Sequence, residues 1–322
     1  MKRFGVITTG GDCPGLNSVI YSIHKSLKSH EEELVGIFQY GLDCPEPYKA
    51  MTLDILDPCM MSRAGTILGS MVDQDVAPFN PDRINHMESN FFNSIKGFDL
   101  EGLFLLGGDN SIRVARRLLR DLPLLVIPKT IDNDVIYTQQ AIGFRSAIET
   151  VTSLIDNLRQ TGSSHKRVMI AEVMGRDTGF LALEAGIASF ADVILIPERL
   201  LNYEALKDFI VKRYHESHYG VLIVVAEGAP NIKDFIEKEV PLPSRYTRFG
   251  HLQRGGNVTA IDRFMAAHLG VHAVDLAVQG IWNKVVVWDG GRAIDKDFVE
   301  TETKQYVTDP KLELCQKLNI FI

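Results

Sequence analysis

The stretch LFLLGGDNS (103–111) sets Gly107 and Gly108 directly after an apolar run and follows them with Asp109, Asn110 and Ser111. Two glycines let a backbone come close to a phosphate. A carboxylate beside them can act through Mg²⁺, which takes oxygen ligands and keeps several waters. The same polar residues also read as a cap for the helix that follows, and both roles can coexist on neighbouring positions. A second glycine turn, TTGGDCPGLN (8–17), places Gly10 and Gly11 between a strand pattern and a helix pattern. It reads either as a phosphate cradle of backbone N–H groups or as a tight turn capped by Asp12.

The sharpest chemical signal is PKTIDNDV (128–135), where Asp132 and Asp134 lie with Thr130 and Lys129 in a loop after an apolar strand. One carboxylate there can accept a proton from an attacking hydroxyl while the other supports metal or orientation. Two basic clusters follow. GSSHKRVMIAEVMGRDTG (162–179) carries Arg167 before a strand and Arg176 after it; SRYTRFGHLQRGG (244–256) carries Arg245, Arg248, His251 and Arg254. Guanidinium forks suit bidentate recognition of phosphate, although a surface arginine or a structural histidine has the same appearance in sequence. Glu227, at the end of VLIVVAEG, can accept hydrogen bonds from sugar hydroxyls or pair with an arginine.

These turns must be carried by something rigid. Short β-branched runs alternate with longer helical patterns almost from end to end: FGVIT before GLNSVIYSIHKSL, GLFLLG before SIRVARRLLRD, RVMIAEV before FLALEAGIASF. Apolar runs without alternation, bounded by Gly or Pro and followed by helices, indicate parallel strands covered on both faces. The expected fold is α/β, with two doubly wound lobes and mainly parallel sheets, and ligands beyond the carboxyl ends of the strands. The 322 residues suffice for about two domains. A net charge of −7 disfavours a general nucleic-acid binder. The longest apolar runs fall far short of a membrane span, and MKRFGVITTGGD runs straight into a strand pattern, so a cytoplasmic protein is expected. Cys13, Cys44, Cys59 and Cys315 form no CxxC pair, which argues against a zinc site or a disulfide framework.

Taken together, GGDCPGLN, GGDNS, PKTIDND, EVMGRDTG, VVAEGA and GHLQRGG resemble the phosphofructokinases in order and spacing, from Gly5 to about Asp262. The resemblance implies two Rossmann-like lobes and Mg²⁺-dependent phosphoryl transfer to the 1-hydroxyl of fructose 6-phosphate. It implies Asp132 as the base, with Thr130, Asp134 and Lys129 in the same catalytic loop and Arg176 stabilising the transferring group. Gly11, Gly108, Asp109, Asn110 and Ser111 would bind the donor, with Asp109 as the metal-linked carboxylate. Arg167, Met174, Gly175, Arg176, Glu227, Arg245, His251 and Arg254 would hold the sugar phosphate. Arg167 and Arg245 match arginines that reach across from a neighbouring subunit, which implies a homodimer or homotetramer. The implied lobes are 1–142 with 253–303 for donor and metal, and 143–252 with 304–322 for the sugar phosphate.

The chain departs from the family pattern on the donor side. Asn110 stands where members using ATP have glycine against the α-phosphate, Lys129 where bacterial ATP enzymes commonly have glycine, and Val114 where glycine often lies near the adenine. Three larger or charged residues in one pocket favour a small donor, pyrophosphate, over ATP. Asparagine also tolerates left-handed backbone, which offers a second explanation for Asn110. After AGTILGS the family arginine that touches the transferring phosphate is replaced, within Met71-Val72-Asp73, by Val72. That loss leaves a second reading open: a weak or silent sugar-phosphate-binding regulatory subunit. Tyr21 and Ile55 replace basic residues of the nucleotide effector site in bacterial allosteric members.

Overall fold

The computed structural model describes residues 1–41, 44–70, 89–109, 111–112, 122–298 and 305–322. Asn110, Val114 and Val72 lie outside the described residues. The chain divides into two compact units, 1–146 with 254–304 and 147–253 with 305–322. The first break falls after Ser146, inside the helix Phe144–Ser164, rather than ahead of that helix.

The first unit is built on β1 (Arg3–Thr8), β2 (Glu33–Gln39), β3 (Tyr48–Thr52), β4 (Leu100–Gly107), β5 (Leu124–Thr130) and β6 (Ile142–Gly143). The second unit then supplies β7 (Val168–Val173), β8 (Val193–Leu195), β9 (Val221–Ala226) and β10 (Ser244–Arg248). The chain returns to the first unit with β11 (Lys284–Asp289) and β12 (Arg292–Asp297).

In the first sheet the order is β12-β11-β5-β4-β1-β2-β3, with β6 beside β5. All its pairings are parallel except those of the two edge strands, β3 on β2 and β12 on β11. The central strands are apolar throughout because both faces are covered, and Phe4, Val6, Leu103, Phe104, Leu125 and Val126 have no exposure. Burying each such side chain contributes roughly 1.5–3 kcal/mol relative to leaving it in water. The edge strands show the opposite pattern: YKAMT on β3 and RAIDKD on β12 are only partly buried. From β1 the chain passes to β2 on one side, while β4 and β5 lie on the other. The gap between the carboxyl ends of β1 and β4 is therefore a topological switch point, where open α/β sheets bind ligands. The helix Leu16–Ser29 follows β1 and buries Leu16, Val19, Ile20, Ile23 and Leu27, one face at helical spacing.

The second unit has one parallel sheet in the order β10-β7-β9-β8. Val168, Ile170, Ile223, Val225, Leu206, Ile210 and Ile236 form its core with β8. The chain leaves β7 for β8 on one side and β9 for β10 on the other, so its switch point lies between β7 and β9. Among the described residues, no helix is long and apolar enough to cross a membrane.

Candidate active site

At the first switch point the two glycine turns meet. Gly10 has φ 76°, a left-handed conformation that glycine adopts without a Cβ penalty. A Cβ there would stand 2.9 Å from Ser111 Oγ and 3.3 Å from Lys129 Nζ, so hydroxyl and ammonium both converge on the turn. A Cβ on Gly11 would stand 2.7 Å from Nη1 of Arg254, which puts that guanidinium against the same turn. Lys129 is buried and its ammonium donates to the carbonyl of Gly11. Asp109 is 5 % exposed, two residues beyond Gly107 at the end of β4. Lys129, Arg254, Ser111, Gly10, Gly11, Gly108 and Asp109 thus occupy one edge of one sheet.

The loop after β5 holds its carboxylates by means of the residue between them. Asn133 is 2 % exposed, and its Nδ2 donates to the Gln139 carbonyl at 3.1 Å while its Oδ1 accepts from Ala141 N–H at 2.8 Å. These bonds close the loop on itself. The alternation then leaves Asp132 and Asp134 half-buried between the buried Ile131, Asn133 and Val135. Thr130 contributes directly, its Oγ1 accepting from the Asp132 N–H at 3.1 Å. Just beyond, Asp262 accepts from Gly143 N–H, Ser146 N–H and Ser146 Oγ at 3.1, 2.8 and 2.6 Å. Burial pushes the Asp262 carboxyl above the usual range, opposed by those bonds from Ser146 and Gly143. Behind the first turn, burial pushes the Cys13 thiol up to about 12, and its Sγ donates to Ile142 O at 3.4 Å. That thiol is a packing group.

The second unit gathers a different set. Gly175 and Arg176 leave β7, Glu227 and Gly228 leave β9, and the two turns interlock through Gly228 N–H to Gly175 O at 3.0 Å and Glu227 N–H to Val173 O at 2.8 Å. The approach is so close that a Cβ on Gly228 would fall 1.8 Å from the Arg176 carbonyl. Arg176 is exposed, 3.6 Å from Asp177, and Glu227 and His251 are exposed as well. Glu172, one residue before the end of β7, is buried and accepts from Tyr246 OH and from the Arg248 guanidinium. Its hydrogen bond and then its charge raise the Arg248 guanidinium still further, while burial and then Glu172 push the Tyr246 phenol upward. Gln253 is wholly buried and ties Met174 N–H to the turn Gly250–Arg254.

Within the second unit, Met174, Gly175, Arg176, Glu227 and His251 belong to turns at the carboxyl ends of the strands. Arg167 and Arg245 do not join them. Arg167 precedes β7, and Arg245 pairs with Met169 near its start, at the opposite end of the sheet. About five residues of strand, roughly 16 Å, separate those ends. Sequence reasoning missed Asn133, Glu172, Gln253 and Asp262. Asn133, Glu172 and Gln253 sat inside the motifs, yet nothing in their local pattern separates a buried side chain that ties two turns together from an ordinary turn or strand residue.

A family model described as Phosphofructokinase matches residues 3–277. The chain is 35 % identical over 330 residues to an "ATP-dependent 6-phosphofructokinase" of Brevibacillus brevis, covering 99 % of this chain and 100 % of that one. It is 34 % identical over 342 residues to a "Pyrophosphate--fructose 6-phosphate 1-phosphotransferase" of Streptomyces coelicolor, covering 96 % of this chain and 97 % of the other. Among solved structures, phosphofructokinase from Saccharomyces cerevisiae superposes with a TM-score of 0.76 at 25 % identity over 92 % of this chain, which spans only 44 % of the yeast chain. The chain belongs to the phosphofructokinase family of phosphotransferases.

Proposed function

We propose that the protein is a 6-phosphofructokinase of cytoplasmic glycolysis that moves a phosphoryl group from pyrophosphate to the 1-hydroxyl of fructose 6-phosphate, giving fructose 1,6-bisphosphate. The observation that carries this reading is the convergence of Asp109, Lys129, Asp132 and the Gly10-Gly11 turn on the ends of adjacent strands β1, β4 and β5. Phosphoryl transfer asks a protein mainly for positioning and charge neutralisation, with a base to orient the nucleophile. Asp132, held by Thr130 and the Asn133 closure, takes the proton of the 1-hydroxyl; Asp134 orients the same loop. Lys129 and the N–H groups of the glycine turns face the donor phosphates with Ser111. In the roles the family resemblance gives them, Arg176 serves the group in transit and Met174, Gly175, Glu227, His251 and Arg254 serve the sugar phosphate. Within the second unit Met174, Gly175, Arg176, Glu227 and His251 share the strand exits, while the Arg254 guanidinium lies against the Gly11 turn of the first.

The residues fit Mg²⁺. Asp109 is a buried carboxylate beside the glycine turns, and Mg²⁺ is commonly held by one or two carboxylates together with substrate phosphates. When bound it neutralises charge on the donor phosphates. Arg167 and Arg245, at the far end of their sheet, serve the sugar site of a neighbouring copy, which makes the protein a homodimer or homotetramer.

Pyrophosphate is favoured by the buried Lys129 ammonium on the Gly11 carbonyl, which adds a cation beside the glycine turn proposed to take the donor. ATP is the second reading, favoured by the full-length relative named ATP-dependent. A coupled assay for fructose 1,6-bisphosphate, run with Mg²⁺ and each donor separately, tests both. Product from pyrophosphate is expected. Product from ATP alone overturns the donor assignment, and product from neither, with fructose 6-phosphate still bound, overturns catalysis in favour of a regulatory subunit.

A further inference from the structure

Gln253 has no exposed surface, and both ends of its side-chain amide are used. Oε1 accepts from the Met174 N–H at 3.0 Å, and Nε2 donates to the Gly250 carbonyl at 2.9 Å. The orientation of the amide is forced, because an N–H needs the oxygen and a carbonyl needs the NH₂. Those two backbone groups belong to different turns, one leaving β7 and the other leaving β10. The earlier part of the second turn is tied to β7 independently: Phe249 N–H donates to Glu172 O at 3.0 Å, and the Arg248 and Tyr246 side chains bond the Glu172 carboxylate. Past Phe249 the support thins. Gly250 has φ 52° with nothing within 4 Å of where its Cβ would be, and His251 and Leu252 are exposed. Among the described residues, the side chain of Gln253 is what carries the His251 turn back onto Met174.

We infer that Gln253 is a positioning residue for the acceptor, fixing Met174 and His251 relative to each other so that both meet one sugar phosphate. The inference rests on the proposed reading of Met174 and His251 as acceptor-binding residues. Few side chains can substitute. Glutamate keeps the length and the acceptor for Met174 but cannot donate to Gly250, and it brings a buried charge. Methionine keeps the volume and loses both bonds. Small displacements of binding groups cost up to about a hundredfold in catalytic efficiency, so a loosened turn has a measurable effect.

The experiment compares wild type, Gln253→Glu and Gln253→Met in steady-state assays that vary fructose 6-phosphate and the donor separately. The expected result is a KM for fructose 6-phosphate raised about tenfold or more in both variants, with the donor KM within about twofold of wild type. A merely structural role would reduce the folded fraction and the apparent kcat while leaving KM alone, since KM does not depend on active-enzyme concentration. An unchanged acceptor KM in either folded variant, or equal rises in both KM values, overturns the inference. Should Gln253→Met fail to fold, Gln253→Glu decides. A wild type without turnover sinks the proposed function instead; the comparison is then made on the Kd for fructose 6-phosphate by calorimetry, and absence of any such binding overturns both.

Discussion

The buried ammonium of Lys129 donates a hydrogen bond to the carbonyl oxygen of Gly11, joining the end of β5 to the turn after β1 across the intervening β4. A cation in that place holds the turn's carbonyl away from an incoming anion and adds positive charge beside it. Lys129→Met is therefore expected to lower kcat/KM for pyrophosphate by about a hundredfold, while the Kd for fructose 6-phosphate stays within about twofold. Steady-state kinetics and calorimetry measure the two quantities. The companion substitution Asn110→Gly is expected to raise the use of ATP relative to pyrophosphate; an unchanged ratio would leave Asn110 as a backbone residue alone.

Asp132 is the group whose loss should stop the chemistry without emptying the pocket. Replacing it by asparagine keeps its size and removes its capacity to take a proton. For Asp132→Asn, kcat should fall by about 10²–10⁴ with fructose 6-phosphate binding retained. Full turnover in that variant would remove Asp132 as the base.

Asn133 predicts an effect on stability. It has φ 51°, a left-handed conformation that asparagine tolerates better than alanine, and it makes two loop-closing hydrogen bonds from a buried position. Asn133→Ala should cost roughly 2–4 kcal/mol, adding unsatisfied backbone groups to left-handed strain. Urea unfolding measures the cost. Asn133→Asp keeps the acceptor for Ala141, and a loss as large as that of alanine would show that the acceptor bond contributes little.

Cys13 makes stability depend on alkaline pH. Burial raises its thiol from 9.0 to about 12 in the folded chain. Well below 9.0 the thiol is neutral folded and unfolded, so pH has no leverage through it. Between 9.0 and about 12 the unfolded chain ionises while the folded chain keeps its proton, and stability falls as pH rises. Unfolding midpoints measured from about pH 8 to about pH 11 should therefore drop less steeply in Cys13→Ala than in wild type. The exposed Cys59 should be alkylated rapidly in the native protein and Cys13 only after unfolding.

The parts of this protein that are legible in its sequence are those whose cause is local. Gly107-Gly108 announces itself because it directly follows an apolar run, and Gly10-Gly11 because it stands just past one, after Thr8 and Thr9. The doubly wound pattern follows from buried strands alternating with amphipathic helices. What stays hidden depends on partners remote along the chain. Asp262 bonds Ser146 from 116 residues away, and Gln253 bonds Met174 from 79. No window of neighbouring residues can contain such pairings. The antiparallel edge formed by β12 was legible in principle, since Gly290-Gly291 between two strand-like runs is a hairpin signal, but the charged RAIDKD does not look like a buried strand. The same reasoning explains Arg167 and Arg245: the motifs give their order along the chain, whereas the strand register puts them at the other end of the sheet from Arg176.

Gly228 leaves no room for even a methyl group against the carbonyl of Arg176. The main chains after β7 and β9 therefore lie backbone against backbone, joined by Gly228 N–H to Gly175 O and Glu227 N–H to Val173 O. Any side chain placed at position 228 would have to push the two strand exits apart.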